Sequence, residues 1–205
     1  MNALKLLALA AFALVPLLAE AASPPASGPI QDQAVFCEGP YALCIKAPCL
    51  PVINESGETV SAVCSCVVEH GYSMGPAACD ARKPVVKNGR TFMMSTYSNY
   101  FNTQEKTLTC SFATQIWAWC YGAPCVVDPL DPKKTTCTCP ISTGTMQTLG
   151  GKCLTNSGGC TELWSAATPA NNKFANDYFY AYMKKNHPNY PVNPPALMCT
   201  GPTAK

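Results

Sequence analysis

The chain has 205 residues and is nearly neutral, with 14 basic side chains, 12 acidic side chains and a formal net charge of +2. It contains no run of basic residues, so the sequence predicts no binding to nucleic acid or to an anionic membrane surface. Its 14 cysteines and 19 prolines, set against only 13% charged residues, are typical of a loop-rich extracellular protein rather than a helix-rich enzyme.

The first 21 residues are predicted to be a signal peptide. Lys5 precedes an apolar run over residues 6–18, and Ala19-Glu20-Ala21 fits the small-x-small pattern of a cleavage site. The apolar run is too short for a helix that spans a membrane. Residues 22–35 are rich in serine and proline, and we expect them to form a disordered leader. The sequence therefore predicts a secreted or periplasmic protein without a membrane span.

All of the cysteines follow the predicted cleavage site, and their number is even. Export and dense cysteine together favour disulfides, because these bonds persist outside the reducing cytosol. The alternative is zinc held by Cys-x-Cys pairs, but the chain lacks paired Cys-x-x-Cys spacing and has only His70 and His187 as further ligands. We expect seven disulfides, no metal and no cofactor.

Twelve of the cysteines form two units of six. The first unit contains Cys37, Cys44, Cys49, Cys64, Cys66 and Cys79, and the second contains Cys110, Cys120, Cys125, Cys137, Cys139 and Cys153. Both units carry the motif Ala-x-Cys-x-x-Ala-Pro-Cys, at residues 42–49 and 118–125, followed by a Cys-x-Cys and one more cysteine. Internal duplication explains this order. The predicted division is cysteine-rich repeat 1 with its linker over residues 36–109, and cysteine-rich repeat 2 with a C-terminal helix and tail over residues 110–205.

Short strands are predicted within both units. Residues 60–68 alternate so that Cys64 and Cys66 share one face of an extended segment. Residues 111–121 predict a further strand, and residues 135–138 predict a shorter counterpart of the first. Related sequences follow the two units, at residues 92–98 and 162–168, and each contains two apolar residues before a serine.

One helix is predicted near the C-terminus. Asn171 or Asn172 is expected to cap it, and Asn186-His187-Pro188 is expected to end it. An aromatic stripe along this helix is interpreted as its packing face, with an exposed recognition surface as the alternative; the stripe consists of Phe174, Tyr178, Ala181 and Tyr182. The predicted fold class is small, disulfide-rich and mainly β/loop: two tandem six-cysteine modules with short strands and one C-terminal helix.

The best candidates for recognition are Trp117, Trp119 and Tyr121. They lie on one face of the predicted strand over residues 111–121, beside the second Ala-Pro-Cys. Such a row can stack on sugar rings or fill a partner's groove, and it can equally form the small core of the module. The two interpretations stay open at this point.

The order of gaps in each unit, and Gly71-Tyr72-Ser73-Met74-Gly75 before Cys79, resemble EGF-like modules. The resemblance implies that the first cysteine pairs with the third, the second with the fourth and the fifth with the sixth. The implied bonds are Cys37–Cys49, Cys44–Cys64, Cys66–Cys79, Cys110–Cys125, Cys120–Cys137 and Cys139–Cys153, which leaves Cys160 to pair with Cys199. An unfamiliar disulfide-rich fold is the alternative.

The sequence offers little for catalysis. An oxidised cysteine is not a nucleophile, and a Ser-His-Asp set would have to combine Ser95 or Ser165 with Asp177, which no spacing supports. We therefore expect a non-enzymatic protein for extracellular binding, adhesion or surface structure, with a protein or glycan partner. The alternatives are a protease inhibitor that presents residues 50–63 or 126–136 as a rigid loop, and a small secreted hydrolase.

Overall fold

The structure is a computed structural model that describes residue 30 and residues 34–45, 47–99, 106–111, 116–151 and 163–191. The predicted signal peptide and the C-terminal tail beyond residue 191 lie outside the described residues. Most of the described chain is in antiparallel strands, and one helix lies near the C-terminus. The predicted fold class, small, disulfide-rich and mainly β, is confirmed.

The strands of the described chain form one sheet of eight strands and one of two. The larger sheet contains β1 (Val35–Leu43), β2 (Cys49–Ile53), β3 (Thr59–Gly75), β4 (Val85–Lys87), β5 (Arg90–Met94), β7 (Ile116–Ala118), β8 (Pro124–Val127) and β9 (Lys134–Thr143). Its main path runs β1-β3-β9-β8-β5-β4, while β2 also pairs with β3 and β7 with β9. The smaller sheet pairs β6 (Lys106–Cys110) with β10 (Met146–Gly151).

Strand β3 lies at the centre of the larger sheet and joins the two six-cysteine units. The predicted strand over residues 60–68 is confirmed, but β3 extends to Gly75 because its second half pairs with β1. Its first half pairs with β2 on one side and with β9 on the other. Cys64 and Cys137, which hold the same rank in their units, are direct partners in the β3–β9 register. The two predicted modules therefore share one sheet.

The disulfides are nested. The first unit pairs its first cysteine with the sixth, the second with the fifth and the third with the fourth, as Cys37–Cys79, Cys44–Cys66 and Cys49–Cys64. The second unit repeats the two inner bonds as Cys120–Cys139 and Cys125–Cys137. Cys110 is also disulfide-bonded, and no described cysteine is free.

The pairing implied by the EGF-like resemblance is wrong for every bond that involves a described cysteine. The six incorrect bonds are Cys37–Cys49, Cys44–Cys64, Cys66–Cys79, Cys110–Cys125, Cys120–Cys137 and Cys139–Cys153. The physical reason is the strand register: Cys49 lies directly opposite Cys64 on β2 and β3, and Cys125 lies opposite Cys137 on β8 and β9. The expected Cys160–Cys199 bond lies outside the described residues.

The core consists of two clusters, and each contains residues of both units. One cluster is built from disulfide sulfurs and small side chains, with alanines 42, 47, 62, 118 and 123 between the four inner disulfides. The other cluster is aromatic and apolar and lies under the helix, where Trp117, Met74 and Phe179 are completely buried. The aromatic side chains of the core are therefore in the second cluster, apart from the four inner disulfides.

The helix α1 (Pro169–Asn186) ends as predicted, but its cap and its packing face differ from the prediction. Thr168, not Asn171 or Asn172, is the N-cap, and its hydroxyl accepts a hydrogen bond from the Asn171 amide. Asn172 and Asn176 belong to the buried face, where their side chains have hydrogen-bond partners. The buried residues of the helix are Asn171, Asn172, Ala175, Asn176, Phe179 and Met183, while Phe174, Tyr178, Ala181 and Tyr182 lie beside them.

Two further expectations need correction. Within the predicted disordered leader over residues 22–35, Ile30 is only 3% exposed because it packs in the aromatic cluster, and Val35 begins β1. Within the predicted strand over residues 111–121, β7 covers only Ile116–Ala118, and residues 112–115 are not described. After Trp119 the chain turns at Gly122, whose φ of 79° is left-handed.

Candidate functional site

The two copies of the Ala-x-Cys-x-x-Ala-Pro-Cys motif form matching corners of the chain. We call residues 42–49 the first corner and residues 118–125 the second corner. In each, the alanine before the proline donates a backbone hydrogen bond to the first cysteine of the motif, from Ala47 to Cys44 at 3.3 Å and from Ala123 to Cys120 at 3.0 Å. The proline fixes φ after this turn, and each corner then enters a strand.

The segment that follows each unit bridges both corners. We call residues 95–97 the first strap and residues 165–167 the second strap. In the first strap, the backbone amide of Ser95 donates to the carbonyl of Ala123 in the second corner at 2.9 Å. The backbone amide of Thr96 donates to the carbonyl of Ala42 in the first corner at 3.0 Å.

The second strap makes the same two bonds with the corners exchanged. The backbone amide of Ser165 donates to the carbonyl of Ala47 at 2.9 Å, and that of Ala166 donates to the carbonyl of Ala118 at 3.0 Å. The hydrogen bonds around the corners are thus symmetric under exchange of the two units.

A cavity lies between the corners and the straps. Its volume is about 70 Å³, room for several water molecules at roughly 10–15 Å³ each. The described residues that line it include equal-ranking residues of the two units: Cys44 and Cys120, Ile45 and Tyr121, Ser95 and Ser165, Thr96 and Ala166, and Tyr97 and Ala167. The remaining described lining residues are Ile30, Trp119, Gln147, Thr148 and Asn172.

Three residues with hydroxyl groups line the cavity from the two straps, namely Ser95, Thr96 and Ser165, which are 2%, 4% and 5% exposed. The Thr96 Oγ1 atom is buried and has no partner among the described residues. The Thr96 side chain lies against Gly75, because a Cβ atom added at Gly75 would lie 2.6 Å from Thr96 Cγ2. A buried hydroxyl without a partner costs about 1–3 kcal/mol.

Aromatic side chains provide the second part of the wall. Trp119 and Tyr121 come from the second corner with ring centroids 5.9 Å apart, and Tyr97 comes from the first strap. Burial raises the pKa of both tyrosines well above its ordinary value, although the nearby Arg82 guanidinium opposes the shift at Tyr121. Both hydroxyls are therefore neutral at physiological pH.

A chain of side-chain hydrogen bonds holds the polar end of the cavity. The Tyr97 hydroxyl donates to Asn176 Oδ1 at 2.7 Å, and Asn176 Nδ2 donates to Asn172 Oδ1 at 3.0 Å. Asn172 Nδ2 donates to Gln147 Oε1 at 2.9 Å, and Gln147 Nε2 donates to Thr109 Oγ1 at 3.1 Å. This network joins α1, β10, β6 and the first strap, so the wall of the cavity is pre-organised before any ligand arrives.

The predicted recognition residues divide between the core and the cavity. Trp117 is completely buried, with its ring centroid 6.1 Å from that of Trp119, and it does not line the cavity. Trp119, which is 7% exposed, and the half-buried Tyr121 both line the cavity. An exposed aromatic row is therefore not observed.

Sequence reasoning did not select the polar wall. Ser95 and Ser165 could have indicated this wall, because each follows a pair of apolar residues in the two related segments after the units. Gln147 and Asn172 gave no such signal.

The described lining of the cavity contains no aspartate, glutamate, lysine, arginine or histidine. His70 lies exposed on β3, and His187 packs against Tyr72 with ring centroids 4.1 Å apart. Two groups of three cysteine sulfurs lie within 4.8 Å of one another, Cys44 with Cys125 and Cys137, and Cys64 with Cys120 and Cys139. All six sulfurs are in disulfides, so none is a thiolate ligand.

No protein family, no curated protein and no solved structure matches the chain. Within the described part of the chain, no helix has the length and apolarity needed to cross a membrane.

Proposed function

We propose that the protein is an exported, non-enzymatic binding protein and that the cavity between the two corners is its binding site. The observation that carries this proposal is the cavity wall, in which the aromatic residues Tyr97, Trp119 and Tyr121 lie beside the side-chain amides of Gln147 and Asn172. Small-molecule sites combine largely apolar linings with a few convergent polar groups in this way. The ligand is a small uncharged molecule or the uncharged end of a larger extracellular partner.

The disulfides support the exported location. Five complete disulfides are described, and bonds of this density persist in an oxidising environment. Secretion or residence in a periplasm fits both this chemistry and the predicted signal peptide. The exchange symmetry of the corner and strap hydrogen bonds supports the interpretation of the two units as tandem repeats.

The two alternative functions receive less support. Residues 50–63, the first loop of the inhibitor hypothesis, lie largely in the paired strands β2 and β3, so much of their backbone is already hydrogen-bonded. In the second loop, residues 126–127 and 134–136 belong to β8 and β9, and residues 128–133 form the turn between them. A hydrolase would need a base near Ser95 or Ser165, and neither described histidine lines the cavity. Asp177, the third member of that hypothetical set, is paired with Lys173 on the exposed side of α1.

The proposal is tested by filling the cavity. Ile45→Tyr gives the first corner the residue that the second corner carries at the same rank, and the added ring would occupy the cavity. Val67→Tyr is the matched control, because Val67 is 43% exposed on β3 and does not line the cavity. Binding is measured by ligand-observed NMR with a mixed panel of neutral saccharides, nucleosides, amino acids and short alcohols.

We expect at least one compound to bind the wild-type protein, to lose binding in Ile45→Tyr and to keep it in Val67→Tyr. The proposal is wrong if no compound in the panel binds, or if Ile45→Tyr binds as the wild type does. Disulfide mapping of both variants confirms that the added ring has not changed the pairing.

A further inference from the structure

We propose that Asn88 is a site of spontaneous modification, at which the side-chain amide is hydrolysed through attack by the backbone nitrogen of Gly89. The reaction converts Asn88 into aspartate or isoaspartate and adds a negative charge to the surface. Three observations carry the inference: the backbone geometry of Asn88, the exposure of its turn, and the unfavourable residue pair that closes the turn. Asn88 does not line the cavity, so the inference is independent of the proposed function.

The backbone of Asn88 is unusual within the described chain. Asn88 has a φ of 50°, and every other described residue with a positive φ is a glycine. Gly89 follows with a φ of 71°, so two consecutive left-handed residues join β4 to β5, as a two-residue hairpin turn requires. Asparagine tolerates this conformation better than most residues do. The hairpin therefore selects asparagine followed by glycine, which is also the pair that offers the least steric hindrance to attack.

The reaction needs only water and the two residues of the turn. The Gly89 nitrogen, after its proton passes to hydroxide, forms a bond to the side-chain carbonyl carbon of Asn88. The side-chain nitrogen takes up a proton from water and leaves as ammonia. Water then opens the cyclic imide at either carbonyl, which gives aspartate or, where the main chain now runs through the former side chain, isoaspartate. Nothing is oxidised or reduced, and glycine permits the attack because it has no Cβ atom.

The turn is open to water. Lys87, Asn88, Gly89 and Arg90 are all exposed, and a Cβ atom added at Gly89 would have no atom within 4 Å. Strand β4 has only three residues, all of them exposed, and it pairs with β5 at the end of the main path of the described sheet. Short elements with few buried contacts open locally at low free energy. The Gly89 nitrogen can therefore rotate toward Asn88 without unfolding of the rest of the sheet.

The residue pair that closes the turn is electrostatically unfavourable. Lys87 and Arg90 lie directly opposite each other in the β4–β5 register. Like charges at directly opposed positions destabilise a pair of strands. Repulsion between these two cations raises the population of the open turn, in which the attack takes place. A carboxylate at residue 88 is close in sequence to both cations, so the charge of the product is favoured there.

The test is incubation of the full, oxidised protein at mildly alkaline pH, followed by peptide mapping by mass spectrometry. Replacement of the amide by a carboxyl group raises the mass of the peptide that contains residue 88. Asn54 is the internal control, because it lies between β2 and β3 and is followed by glutamate rather than glycine. Its side-chain oxygen also accepts hydrogen bonds from the backbone amides of Ser56 and Glu58, at 3.0 Å and 2.8 Å.

Two variants separate the effect of the hairpin from the effect of the sequence Asn-Gly. Asn88→Gly keeps a residue that tolerates the left-handed conformation and removes the reacting amide. Arg90→Glu replaces the repulsion with an attraction to Lys87. The wild type and Arg90→Glu are also incubated after reduction and denaturation, which gives the rate that the sequence alone sets. The ratio of the folded rate to the denatured rate then measures the opening of the turn, and circular dichroism confirms the fold of each variant.

We expect residue 88 to be converted in the folded wild type while Asn54 persists, and we expect no conversion at residue 88 in Asn88→Gly. Arg90→Glu should lower the ratio of folded to denatured rate about fivefold, which corresponds to about 1 kcal/mol at one cross-strand pair. The inference is overturned if the folded wild type stays unmodified while the denatured chain reacts completely. Conversion of Asn54 as fast as that of Asn88, or a ratio unchanged in Arg90→Glu, would overturn it as well.

Discussion

The two corners make matching hydrogen bonds and disulfides but carry different side chains. Each corner closes with the same backbone hydrogen bond from alanine to cysteine, and both of its cysteines form nested disulfides. Each corner also accepts one backbone hydrogen bond from each strap. They differ at the positions between the fixed residues, where the first corner has Leu43 and Ile45 and the second has Trp119 and Tyr121. The difference separates two roles: the fixed residues of the motif build the frame, and its variable positions supply part of the cavity wall.

The frame depends on small side chains and sulfur. The Cα atoms of Cys49 and Cys64, and those of Cys125 and Cys137, are only 4.0 Å apart. The disulfides of the two units also touch, with Cys44 Sγ 3.3 Å from Cys137 Sγ. Side chains larger than alanine would not fit between groups packed this closely. This explains why alanine recurs at the fixed positions of both corners.

The largest effect is expected from removal of matching disulfides. Cys49→Ala with Cys64→Ala opens a bond that spans 15 residues, and Cys125→Ala with Cys137→Ala opens one that spans 12. Chain entropy alone gives a loss of about 3 kcal/mol for each, and the space left in a tightly packed cluster adds to it. We expect both variants to lose about 3–5 kcal/mol in denaturant unfolding, and to agree with each other within about 1 kcal/mol.

Cys37→Ala with Cys79→Ala is the control for this comparison. That bond spans 42 residues, so chain entropy alone predicts a loss of about 4 kcal/mol. Cys79 is exposed, however, and the cavity left by its removal is small. If removal of the Cys37–Cys79 bond lowers the free energy of unfolding more than removal of either inner bond, chain entropy rather than packing dominates the contribution of these disulfides. If the two inner variants differ by more than about 2 kcal/mol, the corners are not equivalent in the frame.

A smaller effect is expected at Gly122, which separates the second corner from the first. Its φ of 79° is left-handed, and a Cβ atom there would lie 2.8 Å from Cγ of Pro76. The first corner has Lys46 at this rank, outside the described residues. We expect Gly122→Ala to lower the free energy of unfolding by about 2–3 kcal/mol, partly from backbone strain and partly from the clash.

Gly144→Ala separates these two causes. Gly144 is also left-handed, with a φ of 92°, but no atom lies within 4 Å of the added Cβ. The Gly144→Ala variant should therefore be destabilised only by backbone strain, and its free energy of unfolding should fall by about 1–2 kcal/mol. Introducing Pro76→Ala should recover the difference between the two variants in a double-mutant cycle. A loss at Gly122 no larger than that at Gly144 would mean that the second corner does not rest on Pro76.

Sequence reasoning recovered the parts of the fold that depend on local patterns. The strand around Cys64 and the end of α1 were readable from spacing and periodicity. The disulfide pairing was not readable, because the gaps between cysteines do not say which strands are neighbours. Once Cys49 is known to lie opposite Cys64 in the β2–β3 register, the nested pairing follows directly.

The cavity was beyond sequence reasoning for a similar reason. It exists because Ser95 of one strap reaches Ala123 and Ser165 of the other reaches Ala47, and these contacts are remote in sequence. The packing face of α1 was misread because Asn172 and Asn176 look exposed by polarity alone. Their burial depends on hydrogen-bond partners, including Tyr97 and Gln147, that lie on other elements.

The smallest effect on stability is expected at two tyrosines, each of which has a different residue at the matching position of the other unit. Tyr121 corresponds in rank to Ile45, and Tyr97 corresponds to Ala167. Burial raises the pKa of both in the folded protein, so on alkaline titration the unfolded chain loses these protons first, near pH 10. The stabilisation from each neutral tyrosine is therefore complete below pH 10 and falls as the pH rises above it.

We expect the free energy of unfolding to fall by about 1.4 kcal/mol per buried tyrosine for each pH unit above 10, until that tyrosine ionises in the folded state. Tyr121→Ile and Tyr97→Phe should each remove one such contribution from the slope, and their stabilities at pH 7 give the separate cost of lost packing or of the lost bond to Asn176. Urea unfolding at pH 9, 10 and 11 measures the slope, and difference absorbance of tyrosinate follows the ionisation. A slope unchanged in both variants would mean that neither hydroxyl is shielded from solvent, and the neutral wall proposed for the cavity would lose its support.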